Sequence, residues 1–114
     1  TFNFSGTLQY GGFEVGYRGI PRLSTTGRTL VASDNGTCVA STGSVEVPSG
    51  VFSPGNAVTV YNNSGTTISL TQGAGLTLRT AGTATTGTIS VNPRGFITVW
   101  FNSASEAIAA GNIG

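Results

Sequence analysis

The chain has 114 residues, a charged fraction of only 8 % and a formal net charge of +1, with no histidine and no methionine. Acid–base and nucleophilic catalysis at neutral pH draws mostly on His, Lys, thiolates or paired carboxylates. With five Arg as the only strong cations and four carboxylates spread along the sequence, that supply is nearly absent. The expectation is a non-enzymatic domain, a surface to bind with or build with.

The first ten residues alternate weakly (Phe2, Phe4, Leu8, Tyr10) and read as an extended lead-in. Beyond them the chain is a series of short alternating runs split by turn residues, with no helical period, the pattern of an all-β fold. Leu30 to Asp34, then Asn35-Gly36, then Thr37 to Ala40 reads as a hairpin closed by a type I′ turn, since Asn-Gly supplies two positive-φ positions. Ser53-Pro54-Gly55-Asn56 reads as a type II turn, with proline presetting φ and glycine taking the positive-φ place. Ala57 to Tyr61 and Thr67 to Thr71, joined through Asn62-Asn63-Ser64-Gly65, read as a second hairpin. Val58, Val60, Ile68 and Leu70 would then share its core side.

Gln72 to Gly75 is a turn into the alternating pair Leu76 and Leu78. Thr80 to Gly87 is a polar loop, Thr88 to Val91 a short strand, and Asn92-Pro93-Arg94-Gly95 another turn. Phe96 to Phe101 is the most apolar strand, with Phe96, Thr98 and Trp100 on one face and Ile97, Val99 and Phe101 on the other. Both faces call for burial: one against the domain core, the other under a neighbouring loop or against a neighbouring subunit. Glu106 to Ala110 fits a last strand or a short helical turn. Together these elements predict a compact β-sandwich or barrel-like domain of short antiparallel strands.

Several chemistries are excluded or weakened by the same residues. The arginines (Arg18, Arg22, Arg28, Arg79, Arg94) form no basic cluster for a phosphate backbone, so no nucleic-acid partner is expected. No apolar run approaches the ~20 residues of a membrane-spanning helix, and no membrane insertion is expected. Cys38 is the sole cysteine and reads as a small buried strand residue. Without a histidine it has no base to make it a nucleophile, and one thiol cannot complete a zinc site. Glu14, Asp34, Glu46 and Glu106 show neither the close pairing of a glycosidase nor the clustering of a calcium loop. A hydrolase using Glu14 or Glu46 is the weakest reading. Gly73-Ala74-Gly75 and Gly82 to Gly87 lack the lysine and following helix of a phosphate loop and read as turns. No catalytic residue, cofactor or metal is assigned.

Carbohydrate recognition needs no catalytic group, only aromatic faces beside amides and hydroxyls. Tyr10, Tyr17, Tyr61 and Trp100 are the candidates, and Tyr61 stands first because Asn62 and Asn63 follow it at a turn. Trp100 is assigned to the core or to an interface instead.

The succession Glu14-Val15-Gly16-Tyr17-Arg18-Gly19-Ile20-Pro21, Thr29-Leu30-Val31-Ala32-Ser33-Asp34-Asn35-Gly36, Ala57-Val58-Thr59-Val60-Tyr61-Asn62-Asn63, Leu76-Thr77-Leu78-Arg79, Gly82-Thr83-Ala84-Thr85-Thr86-Gly87 and Gly95-Phe96-Ile97-Thr98-Val99-Trp100 resembles a module at the C-terminal ends of tail fibres of tailed bacteriophages and prophages. The resemblance runs from Phe13 to Gly114. It implies that residues 1–12 lead in from a fibre shaft, consistent with a chain that begins without Met, and that residues 13–114 form a β-structured tip domain. It implies a homotrimer within the virion, at the distal end of the fibre, acting outside the cell on a bacterial surface receptor such as a polysaccharide, lipopolysaccharide or outer-membrane protein. Under it, Asn35, Tyr61, Asn62, Asn63 and the loop Thr83 to Thr86 are candidate receptor contacts. Phe96, Trp100 and Ile97 are candidate subunit contacts. The alternatives are a purely structural capping, trimerisation or decoration domain, and a free-standing carbohydrate-binding module.

Overall fold

Leu23-Ser24-Thr25-Thr26-Gly27 and Val39-Ala40-Ser41-Thr42-Gly43 are two copies of one pattern, and the backbone treats them alike. In the first, the Thr25 hydroxyl donates to the Gly27 carbonyl (3.1 Å) and accepts from the Gly27 amide (3.3 Å). In the second, the Ser41 hydroxyl donates to the Gly43 carbonyl (2.6 Å) and accepts from the Gly43 amide (3.2 Å). Each hydroxyl thus closes a tight arch that carries the chain out of one sheet and into the other. The computed structural model describes residues 20–113, together with the backbone of two short strands, β1 (Gln9–Tyr10) and β2 (Phe13–Glu14), which pair with each other. Most of the expected lead-in, and the side chains of Tyr10, Glu14 and Tyr17, lie outside the described residues.

Three such excursions stack. Strands β3 (Arg22–Thr25), β5 (Cys38–Ser41) and β7 (Ala57–Asn62) run parallel in one sheet, with Cys38 opposite both Arg22 and Thr59. Strands β4 (Arg28–Thr29), β6 (Val45–Val47) and β8 (Ile68–Gln72) run parallel in the other, with Val45 opposite both Arg28 and Leu70. Parallel pairing needs a long return, and here the strand in the opposite sheet supplies it. The C-terminal half then closes both sheets. β10 (Ile89–Val91) adds antiparallel to β8, and β11 (Phe96–Ser103) adds antiparallel to β7. The hairpin partner of β11 is β12 (Glu106–Gly111), and β9 (Thr77–Thr80) pairs parallel with β12. The sheet orders are β3-β5-β7-β11-β12-β9 and β10-β8-β6-β4.

The fold is therefore all-β and sandwich-like, as expected, but its sheets are mixed rather than antiparallel. Neither predicted hairpin forms. Ala32–Asp34 is a turn of 3-10 helix, not a strand, and the buried Asp34 carboxylate accepts from the Val31 amide at 2.9 Å. Asn35 has φ −55° and Gly36 φ +78°, so Asn-Gly makes a type II turn, closed by Thr37 N–H to the Asp34 carbonyl at 3.0 Å. A type I′ turn would need positive φ at Asn35 as well. In the second case the face assignment holds and the pairing fails. Val58, Val60, Ile68 and Leu70 are all buried in the core, but β7 and β8 face each other across it in different sheets. The type II turn at Pro54-Gly55 forms as read, with Gly55 at φ +90° and Asn56 N–H bonded to the Ser53 carbonyl.

The core between the sheets takes alternate residues from each strand: Val39, Val58, Val60, Ile97, Val99, Phe101 and Ala109 from the large sheet, Val45, Val47, Leu70 and Val91 from the small one. Phe52, in the β6–β7 loop, stacks on Phe101 with ring centroids 4.5 Å apart. Removing either ring would cost about 3–5 kcal/mol.

Candidate functional site: the outer face of the large sheet

Side chains alternate along a strand, so each sheet also has an outer face. On the small sheet that face is Thr29, Glu46, Ser69, Thr71 and Ser90, polar throughout. On the large sheet the registers build three rows. Arg22, Cys38, Thr59, Thr98 and Ala110 form one; Ser24, Ala40, Tyr61 and Phe96 another; Ala57, Trp100, Ile108 and Arg79 the third. Phe96 is 51 % exposed and Trp100 46 %. Single exposed apolar residues are ordinary, whereas neighbouring apolar groups on one face, here Tyr61 with Phe96 and Ala57 with Trp100 and Ile108, mark a contact surface. The two sheets thus differ: only the large one sets aromatic and aliphatic side chains among the polar residues of its outer face.

Two ends of this face differ. At one, the Tyr61 and Phe96 rings pack with centroids 4.8 Å apart and planes tilted by 36°. They form one wall of a pocket of about 360 Å³, whose other lining residues are Ile20, Arg22, Cys38, Ala40 and Thr59. The hollow exists because β5 places the small Cys38 and Ala40 between larger neighbours on β3 and β7. At the other end Trp100 lies opposite Ala57 and Ile108. Beyond them the Arg79 guanidinium meets Glu106 at 3.3 Å, and the Asn102 amide donates to the other Glu106 oxygen at 2.8 Å. The Asn102 hydrogen bond, with help from Arg79, holds the Glu106 carboxyl below its ordinary range despite an opposing desolvation effect.

The sequence-predicted contacts divide. Tyr61, Phe96 and Trp100 stand on the outer face, and the first two meet there. Ile97 is fully buried in the core on the opposite side of β11, so its assignment as a subunit contact is corrected. Asn62 is also fully buried: its amide serves the carbonyls of Thr66 (2.7 Å), Asn92 (3.0 Å) and Val91 (3.2 Å), and it accepts from the Ser64 hydroxyl at 2.7 Å. It sits in register with Ser41 and locks the third arch, so it has no surface to offer a receptor. Asn63 is half-buried and accepts from Arg94 at 3.0 Å. Asn35 is exposed, but its side-chain oxygen accepts from the Ala57 amide at 2.9 Å, at the opposite end of β7 from Asn62 and Asn63. A six-residue strand spans roughly 17 Å, so Asn35 does not join those two in one site.

Cys38 is a correction too. It points outward into the pocket, half-exposed, rather than into the core. Partial burial pushes its thiol up from the ordinary range, against the opposing pull of Arg22, which leaves it protonated and a poor nucleophile at neutral pH. Of the carboxylates, Asp34 pairs with Arg28 at 3.2 Å, Glu46 faces solvent on the small sheet, and Glu106 pairs with Arg79. No group of three or more His, Cys, Asp or Glu able to hold a metal ion occurs among the described residues. The residues that sequence reasoning missed are Ile20, Arg22, Ala40 and Ile108. Their alternation was visible, but only the parallel register joins them into one surface.

What fold and site define is a class: a small all-β domain of two mixed sheets, polar on one outer face and bearing aromatic and aliphatic side chains among polar ones on the other. Comparison with family models, curated proteins and solved structures found no match for this chain.

Proposed function

We propose that this domain is a non-enzymatic virion adhesion module, the tip of a bacteriophage tail fibre. It assembles as a homotrimer and attaches the particle to a bacterial surface receptor, a cell-surface glycan. The observation that carries the reading is the asymmetry of the two outer faces. A free domain gains nothing from the exposed Trp100 and Ala110 and the half-buried Ile108, whereas three copies would bury Trp100 and Ile108 and enlarge the small core that a chain of this length can build. The motif succession from Glu14 to Trp100 supports the fibre assignment. Trp100 and Ile108 supply the subunit contact, Phe96 borders it, and the Tyr61 end remains for the receptor.

The test is binding of the fluorescently labelled domain to a panel of bacteria carrying different surface polysaccharides. Saturable binding to some strains, abolished by stripping their surface glycans, is the expected result. A domain that binds no strain overturns the adhesion reading. A purely structural tip is the second reading, favoured by the commitment of Asn35 and Asn62 to internal hydrogen bonds. It predicts the same trimer with no cell binding.

A further inference from the structure

The pocket at the Tyr61 end has a composition that selects its ligand. Its wall is the Tyr61–Phe96 pair and its floor is Ala40 and Cys38, so it presents a largely apolar surface. Among the described residues its single ionised lining group is Arg22, and no carboxylate lines it. Thr59 and Tyr61 add hydroxyls, although the Thr59 hydroxyl already lies 3.3 Å from that of Thr98. The other described arginines are occupied: Arg28 by Asp34, Arg79 by Glu106, Arg94 by Asn63. Arg22 has no carboxylate partner among the described residues. It stands instead over the hollow, close enough to Cys38 to oppose the upward shift of its thiol.

We infer that this pocket binds a six-membered ring carrying a carboxylate, specifically a hexuronate residue of an acidic polysaccharide. The inference rests on the adhesion reading above. A pyranose offers an apolar C–H face to Tyr61 and Phe96, as aromatic platforms require. Its carboxylate matches the planar fork of Arg22, which accepts such groups in pairs of hydrogen bonds. Its ring hydroxyls reach Tyr61 and Thr59 at the rim. A volume of about 360 Å³ holds one ring of this kind, at the small end of the range for ligand pockets. The exposed rim at Ile20 (70 %) and Phe96 leaves the neighbouring sugars of a chain outside.

The experiment is an amide-resolved NMR titration of the native protein with sodium glucuronate, glucose and sodium benzoate at constant ionic strength. It is repeated on Arg22→Gln, whose position on the surface leaves the core intact. Glucuronate is expected to shift Cys38, Ala40, Tyr61 and Phe96 saturably, with glucose about tenfold weaker. Arg22→Gln should lose about tenfold for glucuronate and nothing for glucose, the size of one charge-assisted contact. No shift at these amides with glucuronate overturns the inference, as does an unchanged response in Arg22→Gln or binding of benzoate alone. A domain that binds bacteria but not glucuronate overturns the pocket assignment and leaves the adhesion reading standing. Glucuronate binding without any bacterial binding overturns the adhesion reading instead.

Discussion

Gly43→Ala is the sharpest perturbation of the stacked arches. A Cβ built at Gly43 lands on the Thr26 carbonyl oxygen of the arch above, well inside contact distance, with the Thr26 carbonyl carbon at 3.3 Å and the Gly27 Cα at 3.8 Å. All three are backbone atoms, so no side chain can rotate away. Relief requires prising the arches apart, against the flanking hydrogen bonds from Thr42 N–H to the Thr25 carbonyl (3.1 Å) and from Arg28 N–H to the Ser44 carbonyl (3.3 Å). Overpacking strain of about 1–3 kcal/mol, with one such bond weakened at about 1 kcal/mol, gives about 2–4 kcal/mol of destabilisation. Two controls separate this from ordinary glycine effects. Gly36→Ala meets open space at φ +78° and should cost about 1–2 kcal/mol for the left-handed backbone alone. Gly65→Ala meets open space with no positive φ and should be neutral or stabilising by up to about 1 kcal/mol. Urea unfolding of all three at one fixed protein concentration reads the order directly. If Gly43→Ala is as stable as Gly36→Ala, the arches do not stack as described.

Asn62→Ala should destabilise by about 2–4 kcal/mol, since it orphans the carbonyls it serves, and Asn62→Asp by more, because an acceptor-only charge replaces the buried donor; thermal unfolding checks both. Trp100→Ser should weaken assembly by about 2–4 kcal/mol, the scale of an aromatic anchor, and shift the solution mass towards the single chain while leaving the circular dichroism of the dilute protein unchanged. Glu106 has a lowered carboxyl pKa, so its stabilisation is complete above about pH 5 and fades as pH falls through the depressed value. Stability of wild type relative to Glu106→Gln, followed from pH 7 to pH 2, should shrink over that acid range and nowhere else. The Cys38 thiol should react with a disulfide reagent at pH 7 more slowly than free cysteine, and reach the free rate on unfolding.

The faces of the strands that were read, and most of their positions, were legible because they depend on alternation, which is local, whereas Leu30 to Asp34 was misread and Arg22–Thr25 was not read as a strand. Phe96 to Phe101 splits into its two faces as read, and Val58, Val60, Ile68 and Leu70 all reach the core. Pairing was not legible, because it depends on what the chain does between strands. Asn35-Gly36 has two allowed turn types, and only the backbone of Asn35 distinguishes them. The repeat that gives the topology away, Leu23 to Gly27 against Val39 to Gly43, is five residues long and hidden in a chain full of Ser, Thr and Gly. Its meaning lies in hydroxyl bonds back to the main chain. The candidate site shows the same division. Tyr61, Phe96 and Trp100 follow from alternation, Asn62 was misplaced because a turn-edge amide can face inward, and Arg22 became part of a pocket only through parallel register with Cys38.

The central claim is that the Trp100 end of the outer face of the large sheet is covered by other copies of the chain, leaving the Tyr61 end open. The native mass in solution, measured by sedimentation equilibrium across a dilution series, tests it most directly. The account predicts a particle of about three chains that persists on dilution and falls apart when Trp100 is replaced. A single species near 11.5 kDa at every concentration would contradict it, leaving Trp100 exposed to water in the working protein.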